Sequence, residues 1–396
     1  MRTAREGRPQ LHDSPDQHDI LAFRIDLVML KYPPIADSRT RARRLVMQFG
    51  WNSTAYQILN PRMNLWFSDV GDAVIGYVVR SDFRIVAGAP VCSYDRVHAV
   101  VEEFECAANL NGEKVCYFGA AGRLQTVLAS SPGHGSIAIG EQPVWNPQHW
   151  KPKANGIKAL RGQVNRAVNK GVTVIEWVNL TPSQLEELSL CLREWLDLHV
   201  LPPLHFLTEP VNLHDLGDRR LFTATVEPEG SIVGYLIATP VPDRNGWLIE
   251  QIVRGNSAPN GVSELMVDTV MRNMRDEGFS YLTLGLAPLS RRTMSNPRVK
   301  FPQPLIPRLV LAWVRTHGNR FYNFEGIERF KAKFRPDAWE PITVISNETT
   351  ISLRALSAAA AAFSSTSQSQ FVLKAALRAL RNEAGWMIRT FEDRIW

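Results

Sequence analysis

Hydrophobic and polar positions follow the same order twice along the chain. In each half, two apolar strands come first, followed by a loop that contains proline, an amphipathic helix and a third strand. The first strand of each half centres on Gly-Tyr, in DAVIGYVV and GSIVGYLIA. The six predicted strands are residues 72–79, 83–90, 114–120, 230–238, 247–254 and 280–287. Two α+β domains of one type, related by duplication, are the simplest interpretation.

The helix in each half is predicted from apolar residues spaced three and four apart. Asn111 and Gly112 end the first helix, and Gly278 ends the second. The apolar face of the first helix comprises Val97, Val100, Val101, Phe104 and Ala108. The apolar face of the second comprises Val262, Leu265, Met266, Val270 and Met274.

The order strand, strand, helix, strand is also that of the N-acetyltransferase-like fold. In that fold the start of the helix binds a cofactor pyrophosphate, because free backbone N–H groups and the helix dipole favour an anion. A loop with Gln or Arg and two glycines is expected there, whereas this chain has RGNSAPNGVSEL at 254–265. Pro259 removes one backbone donor, and Asn260 with Gly261 supplies a tight turn into the helix. The corresponding loop of the first half, VCSYDR, has no glycine, so the sequence argues against a coenzyme A donor.

Basic residues concentrate in a segment between the two halves. A helix predicted within residues 146–177 has Lys158, Arg161 and Arg166 on the side opposite its apolar positions. Those apolar positions are Ile157, Leu160, Val164 and Val168. No acidic residue occurs within 142–175, although six cations do. The basic face is either solvated or in contact with phosphates, and the lack of compensating acids favours phosphates.

Both ends of the chain lie outside the duplicated region. The polar start is followed by a predicted helix at 20–32 and an arginine-rich stretch at 39–44. An amphipathic helix predicted within 371–396 follows a Ser- and Ala-rich linker and carries Trp386 and Trp396. It fits a core or dimer-packing helix as well as it fits a basic helix at a membrane interface.

The net charge and the cysteines indicate which partners and which cellular location to expect. With a net charge of +6 and a pI near 9.2, the chain favours a polyanionic partner such as nucleic acid, anionic lipid or a phosphorylated substrate, although many cytosolic proteins are mildly basic. Cys92, Cys106, Cys116 and Cys191 form no CxxC pair, which predicts buried thiols without disulfides or a zinc site. No apolar run is long enough to span a membrane, and the N-terminus lacks the apolar core of a secretory signal. We expect a cytoplasmic protein, or one that is peripheral on the inner face of the membrane.

Three motifs in the second half resemble one family. They are SAPNGVSEL at 257–265, LGLAPLS at 284–290 and FYNFEGIERFKAKFRPDAWEP at 321–341, and a weaker similarity begins at FGWNSTAYQILNP. Over residues 45–345 the chain resembles the synthase domain of phosphatidylglycerol lysyltransferases and related aminoacyl-lipid synthases. The resemblance implies an α+β fold of two tandem N-acetyltransferase-like (GNAT) domains with mixed sheets, here followed by the C-terminal amphipathic helix. It also implies transfer of an amino acid from aminoacyl-tRNA to a lipid hydroxyl, with no metal and no further cofactor.

The chain departs from this family in two places. Members usually carry many membrane-spanning helices ahead of the domain, and the sequence shows none here. Any lipid contact is therefore expected from the basic helices at either end. Many members have an Asp where this chain has Gln251, with Glu250 adjacent, so the transferred amino acid is left open.

Aminoacyl transfer requires two substrates held in line, a group that takes a hydroxyl proton, and stabilisation of an oxyanion. Glu250 is a candidate for the general base or for an anchor of the substrate's α-ammonium. Arg254 is a candidate for binding the terminal phosphate or for orienting Glu250. Asn260 and Gly261 are candidates for presenting backbone donors at the start of the helix. The structural alternatives are a Glu250–Arg254 ion pair and a plain helix cap.

The motif at 321–341 supplies further candidates. Glu325, beside Tyr322 and other aromatic residues, is a candidate for reading an amino group, with a buried Glu–Arg pair as the alternative. Lys331 and Lys333 alternate with phenylalanines, which predicts a strand with both lysines on one side. Two like charges side by side favour an anion between them, so we expect this pair to bind phosphate.

Together these observations predict an aminoacyltransferase that uses aminoacyl-tRNA and a lipid of the phosphatidylglycerol or diacylglycerol type. The alternatives are an acyltransferase that uses coenzyme A or a carrier-protein thioester, and a non-catalytic relative that binds tRNA or anionic lipid. The predicted segments are an N-terminal arm with a basic helix (1–45), a first GNAT-like domain (46–150), a basic linking helix (151–175), a second, catalytic GNAT-like domain (176–345), and a linker with the amphipathic helix (346–396).

Overall fold

The structure of the chain is a computed structural model that describes residues 38–290 and 323–363, with the exception of 130, 132, 198–205, 209, 211, 212 and 229. Three predictions fall outside these residues, namely the helix at 20–32, the surroundings of Tyr322 and the helix within 371–396.

The described residues form both helices and strands. The helices are α1 (Ser38–Phe49), α2 (Val97–Asn109), α3 (Gly122–Leu128), α4 (Trp150–Gly156), α5 (Lys158–Val168), α6 (Pro182–Asp197), α7 (Val262–Asp276), α8 (Phe324–Ala332) and α9 (Leu353–Ala362). The strands are β1 (Asn64–Phe67), β2 (Val74–Arg80), β3 (Phe83–Ala87), β4 (Lys114–Ala120), β5 (Gly135–Trp145), β6 (Val172–Trp177), β7 (Arg220–Val226), β8 (Ser231–Val241), β9 (Gly246–Arg254), β10 (Tyr281–Thr283), β11 (Ala287–Pro288) and β12 (Ala338–Ser346).

Most of the predicted strands are confirmed to within a few residues. The segment 280–287, predicted as one strand, forms the two short strands β10 and β11, because Gly285 turns the chain with a φ of 69°. The predicted apolar faces of α2 and α7 are confirmed, since every residue assigned to them is buried. Along α5, Ile157 and Leu160 are buried as predicted, whereas Val168 at the end of the helix is half exposed.

Two predictions from the sequence concern the burial of the cysteines and the absence of a helix long enough to span a membrane. Cys92, Cys116 and Cys191 are buried as predicted. The prediction is wrong for Cys106, which is exposed because it lies on the polar side of α2. Among the described residues, every helix is too short or too polar to cross a membrane.

All the strands of the described residues belong to one mixed sheet. Its order is β1-β2-β3-β4-β12-β5-β10-β9-β8-β7-β6, and β11 pairs with β5. The pairs β3–β4 and β9–β10 are parallel, and the remaining pairs are antiparallel. The α+β class with a mixed sheet is thereby confirmed.

The two halves share this sheet by exchanging strands at its centre. β5, which ends the first half, pairs with β10 of the second half, and β12 of the second half pairs with β4 of the first. β5 and β12 also pair with each other along the whole of β12. The sheet is therefore continuous across the boundary that the sequence repeat suggests.

Helices cover both faces of the sheet in the second half. α5 and α7 contribute to the core over Phe222, Leu236 and Ile249 on one face. α6 packs over Tyr235 and Ile237 on the opposite face. Leu236 and Ile237 are consecutive residues of β8 and face opposite cores, as the pleat of a strand requires. This double burial explains why β8 is apolar along nearly its whole length.

Candidate active site

β9 and β10 of the second half separate partway along their length, and the region beyond their last paired residues is called the second-half cleft below. They pair in parallel as far as Leu248 and Thr283. Beyond that point β9 continues to Arg254. The segment that follows β10 turns at Gly285 and pairs with β5 as β11. Among the described strands, none pairs with the far part of β9 on its β10 side.

A β-bulge at Glu250 changes the direction of side chains in the open part of β9. Consecutive residues of β8 lie opposite Gln251 and Ile249, so Glu250 has no residue opposite it. Ile249 and Ile252 both pack in the core that includes α7. Glu250 and Gln251, which lie between them, are therefore directed away from that core.

Glu250 forms a buried ion pair with Arg219, which precedes β7. Arg219 Nε lies 2.9 Å from Glu250 Oε2, and the two side chains are 10% and 6% exposed. Arg219 Nη2 donates to Asn60 Oδ1 at 3.0 Å, and the guanidinium lies 4.9 Å from the centre of the Tyr56 ring. The predicted pairing of Glu250 with Arg254 is therefore wrong. The carboxylate in the bulge pairs instead with Arg219, which directly precedes β7.

Arg254 belongs instead to the loop before α7. Its Nη2 donates to the carbonyl of Ala258 at 2.9 Å and to Asn260 Oδ1 at 3.4 Å. Gly261 has a φ of 99° and is the N-cap of α7, which confirms the predicted tight turn. A Cβ at this position would lie 2.1 Å from the carbonyl oxygen of Gln163, so α5 packs directly on the start of α7.

The first turn of α7 also holds a carboxylate of the chain itself. Glu264 is buried, and its Oε1 accepts a hydrogen bond from Lys333 Nζ at 2.5 Å. A carboxylate at this end of a helix is stabilised by the helix dipole. The start of α7 is therefore already occupied by an anionic group and its counterion.

Lys331 and Lys333 lie in and just after helix α8, so the predicted strand is wrong. Asn323 caps this helix, because its side chain accepts a hydrogen bond from the Gly326 N–H at 2.7 Å. Residues two apart on a helix are separated by about 200° around its axis, so the two lysines point in different directions. A phosphate bound between the two lysines, as the strand prediction implied, is not compatible with this geometry. Lys333 is instead paired with Glu264.

Lys331 is buried at the point where β10 ends. Its Nζ donates to the backbone carbonyls of Gly285 at 2.9 Å and Leu286 at 2.7 Å. Burial lowers the pKa of this lysine to about 7. Gly285 follows Thr283, the last residue of β10 that pairs with β9, by two positions, as Glu250 follows Leu248, the partner of Thr283.

The other predicted residues are spread over two helices. Glu325 is partly buried in the first turn of α8. Lys158, Arg161 and Arg166 are all exposed on α5, as the helical spacing predicts, and are called the α5 basic surface below. Arg161 also donates to the carbonyl of Asn155 at 2.9 Å.

Sequence reasoning missed the hydrogen-bonded groups that hold Arg219. The Tyr56 hydroxyl accepts a hydrogen bond from Asp218 N at 2.8 Å and donates to Asp218 Oδ2 at 3.1 Å. Arg43 of α1 is paired with Asp218, and its hydrogen bond holds the pKa of that carboxyl below the usual value. Tyr56 lies in the stretch FGWNSTAYQILNP, whose weak family similarity was its one signal in the sequence. Arg219 and Asp218 gave no signal, since their partners are distant along the chain.

The first half has a cleft at the corresponding place. β3 and β4 are parallel as far as Ala87 and Phe118, and a small space lies beyond them. Of the described residues that line this space, Arg123 is the charged one. Arg123 is paired with Asp243, and its guanidinium lies 4.7 Å from the centre of the Trp51 ring.

Comparison with known sequences identifies the family that this chain matches and several relatives. A family profile described as phosphatidylglycerol lysyltransferase, C-terminal, matches residues 43–345. The lysylphosphatidylglycerol biosynthesis bifunctional protein LysX of Gordonia bronchialis is 26% identical over 317 residues, which cover 77% of this chain and 27% of that protein. A phosphatidylglycerol lysyltransferase of Staphylococcus xylosus is 20% identical over 312 residues, which cover 77% of this chain and 35% of that protein. The chain thus spans about a quarter to a third of the length of these relatives.

Two solved structures share the fold. A C-terminal domain (DUF2156) from Agrobacterium fabrum has a TM-score of 0.69 and 22% identity, and the match covers 84% of this chain and 99% of that one. L-PGS from Bacillus licheniformis has a TM-score of 0.67 and 19% identity, and the match covers 80% of this chain and 92% of that one. At these identities the likeness concerns the fold alone.

Proposed function

The chain belongs to the phosphatidylglycerol lysyltransferase C-terminal family, and on that premise we propose that it moves an aminoacyl group from aminoacyl-tRNA to a lipid hydroxyl. The acceptor is a lipid of the phosphatidylglycerol or diacylglycerol type at the inner face of a membrane. We interpret the two halves as tandem GNAT domains, of which the second is catalytic. The observation that carries the proposal is the bulged part of β9, which pairs with none of the described strands on its β10 side and holds the buried Glu250–Arg219 pair.

The reaction exchanges one ester for another, so alignment and charge stabilisation can supply the catalysis. The acceptor hydroxyl attacks the aminoacyl carbonyl carbon, and the ribose oxygen leaves. Backbone N–H groups at the open edge of β9 are assigned to stabilise the oxyanion that forms. Glu250 is assigned to bind the substrate's α-ammonium, because Arg219 fixes the direction of its carboxylate.

The start of α7 argues against coenzyme A as the donor. A pyrophosphate bound there would meet the buried Glu264 carboxylate and would have to displace Lys333. It would also compete with α5, which packs against Gly261. Like charges in a poorly solvated site repel strongly. An aminoacyl-tRNA donor avoids this conflict, because its phosphates can be bound along an extended surface elsewhere.

The α5 basic surface is assigned to the tRNA phosphates. Lys158, Arg161 and Arg166 are exposed, and none of them forms an ion pair with another described residue. Contacts of this kind release counterions from the nucleic acid, so the affinity falls with salt. The helix predicted within 371–396 is kept as the candidate contact with anionic lipid.

The direct test is transfer of label from aminoacyl-tRNA into lipid. The purified protein is incubated with radiolabelled aminoacyl-tRNAs and with liposomes that contain phosphatidylglycerol or diacylglycerol, and the organic phase is counted. We expect label in the organic phase that is lost when the tRNA is digested beforehand. Transfer that survives RNase, or that requires an acyl-CoA, would contradict the proposal. Salt-sensitive binding of tRNA or liposomes without any transfer would support the non-catalytic alternative.

A further inference from the structure

Lys331 is a buried amine in the candidate site that none of the steps above uses. It belongs to α8, yet its Nζ reaches the segment between β10 and β11 and donates to the carbonyls of Gly285 and Leu286. Among the described residues, no carboxylate forms an ion pair with it. A buried ammonium without a counterion is unfavourable, so an amine retained at this position is a candidate for chemistry.

We propose that Lys331 carries the proton from the acceptor hydroxyl to the departing ribose oxygen during aminoacyl transfer. This inference rests on the proposed function of the same cleft. The segment that Lys331 binds begins two residues after Thr283, where β10 stops pairing with β9, and the bulge at Glu250 lies two residues after Leu248, the partner of Thr283. The amine is therefore bound to the segment that leaves the parallel pair, whereas Glu250 belongs to the strand that continues.

The hydrogen bonds of Lys331 suit a neutral amine. A neutral Nζ has two N–H groups and one lone pair. The two carbonyls account for both N–H groups, which leaves the lone pair to accept an external proton. Burial lowers the pKa of Lys331 to about 7, so the neutral and charged forms are both populated near neutral pH.

Other titratable and charged groups lie on the elements packed around Lys331. They are Glu250 of β9, Glu264 of α7, Glu141 of β5, Tyr281 of β10, Lys333 after α8, and Glu325, Glu328 and Arg329 of α8 itself. Glu250 and Glu264 are engaged in ion pairs of their own, and burial raises the pKa of Tyr281. Glu141 is buried opposite β11, so a Glu141→Gln variant shows whether that carboxylate contributes to the titration.

The proposed step balances in protons and electron pairs. The acceptor hydroxyl gives its proton to the lone pair of Lys331 as its oxygen forms a bond to the aminoacyl carbonyl carbon. When the tetrahedral intermediate collapses, the bond from that carbon to the ribose oxygen breaks, and the ribose oxygen takes the proton from the lysine ammonium. The lysine returns to its neutral form, and no other reactant is consumed.

The test is the pH dependence of single-turnover transfer in Lys331→Met, with Arg329→Ala on the exposed side of the same helix as the control. In the natural protein the rate is expected to rise with pH and to level off above about 7, because only the neutral amine accepts a proton. Lys331→Met is expected to lose about 100-fold or more in rate, together with this pH dependence. Arg329→Ala is expected to keep both. Lys331→Ala is expected to regain part of its rate when a small primary amine is added.

Three outcomes decide the matter, provided that thermal unfolding shows the variants to be folded. A Lys331→Met protein that keeps the wild-type pH profile would overturn the role of Lys331 and leave the proposed function intact. A Lys331→Ala protein that no added amine improves would also count against the role. Absence of transfer by the natural protein would overturn the proposed function and, with it, the step assigned to Lys331.

Discussion

The two halves of the molecule have the same local topology, but they place different side chains where their parallel strands separate. In each half two parallel strands pair over part of their length and then separate. The first-half cleft is mostly apolar, and its charge, on Arg123, is paired with Asp243 and lies over Trp51. In the second half, a bulge at Glu250 follows the point of separation on one strand, and Lys331 binds the carbonyls that follow it on the other.

The fold repeats the same separation of strands in both halves, whereas the proposed reaction depends on a few polar residues in the second half. Asp243 lies in the turn between β8 and β9, so its pair with Arg123 connects the first-half cleft to the second half. We therefore expect the first-half cleft to stabilise the joined sheet and the second-half cleft to carry the chemistry.

The largest effect is expected from removing the partner of Glu250. Arg219→Met leaves a buried carboxylate without its counterion, and the free energy of unfolding is expected to fall by about 3–5 kcal/mol in urea titrations. The double variant Arg219→Met/Glu250→Met should recover much of this stability. In the first half, the pair of Arg84 with Glu113 is the matched control, and Arg84→Met should cost less because Glu113 is 22% exposed. A double variant as unstable as Arg219→Met would contradict the ion-pair explanation.

A smaller effect is expected at the α5 basic surface, which belongs to neither cleft. Replacement of Lys158, Arg161 and Arg166 by alanine should weaken tRNA binding about 10-fold at low salt and reduce the slope of log affinity against log salt by about 2–3. Filter binding over a range of salt concentrations measures both quantities. Arg329→Ala/Arg354→Ala removes exposed cations elsewhere and should change the slope little. Equal changes in the two variants would mean that net charge, rather than this surface, binds the tRNA.

The smallest effect is expected from Tyr56→Phe, which tests the hydrogen bonds that support Arg219 in the second half. The change removes the hydroxyl that bonds to Asp218 but keeps the ring under Arg219. We expect a loss of about 1 kcal/mol in the free energy of unfolding and only a few-fold loss in transfer. Thermal melting and kcat/KM measure the two effects. A loss of transfer near 100-fold with unchanged stability would show that Tyr56 takes a direct part in the chemistry.

The elements of both halves could be predicted because their signals are local. Apolar runs bounded by glycine and proline define the strands, and the three-and-four spacing that includes Phe104 and Met274 defines the buried faces of α2 and α7. The tight turn at Gly261 was predictable for the same reason, since a glycine before an amphipathic run admits the φ of 99° found there.

The polar part of the site could not be predicted, because its contacts join distant segments. The alternation of phenylalanine with Lys331 and Lys333 fits a strand, but the cap at Asn323 and the burial of Phe334 favour a helix in the assembled core. The pairing of Glu250 with Arg219 depends on a bulge whose position no local spacing reveals. The exchange of β5 and β12 likewise depends on strand pairing across the two halves.

The most direct test of the division between the two clefts compares Glu250→Gln with Arg123→Met in the lipid-transfer assay. Both proteins are first shown to be folded by circular dichroism and thermal melting. We expect Glu250→Gln to lower kcat/KM by about 100-fold or more, since a charge that binds and orients the substrate is lost. Arg123→Met should stay within about three-fold of the natural protein, as expected for a substitution away from the chemistry. Equal losses in the two variants, or full activity in Glu250→Gln, would contradict the assignment of the chemistry to the second-half cleft.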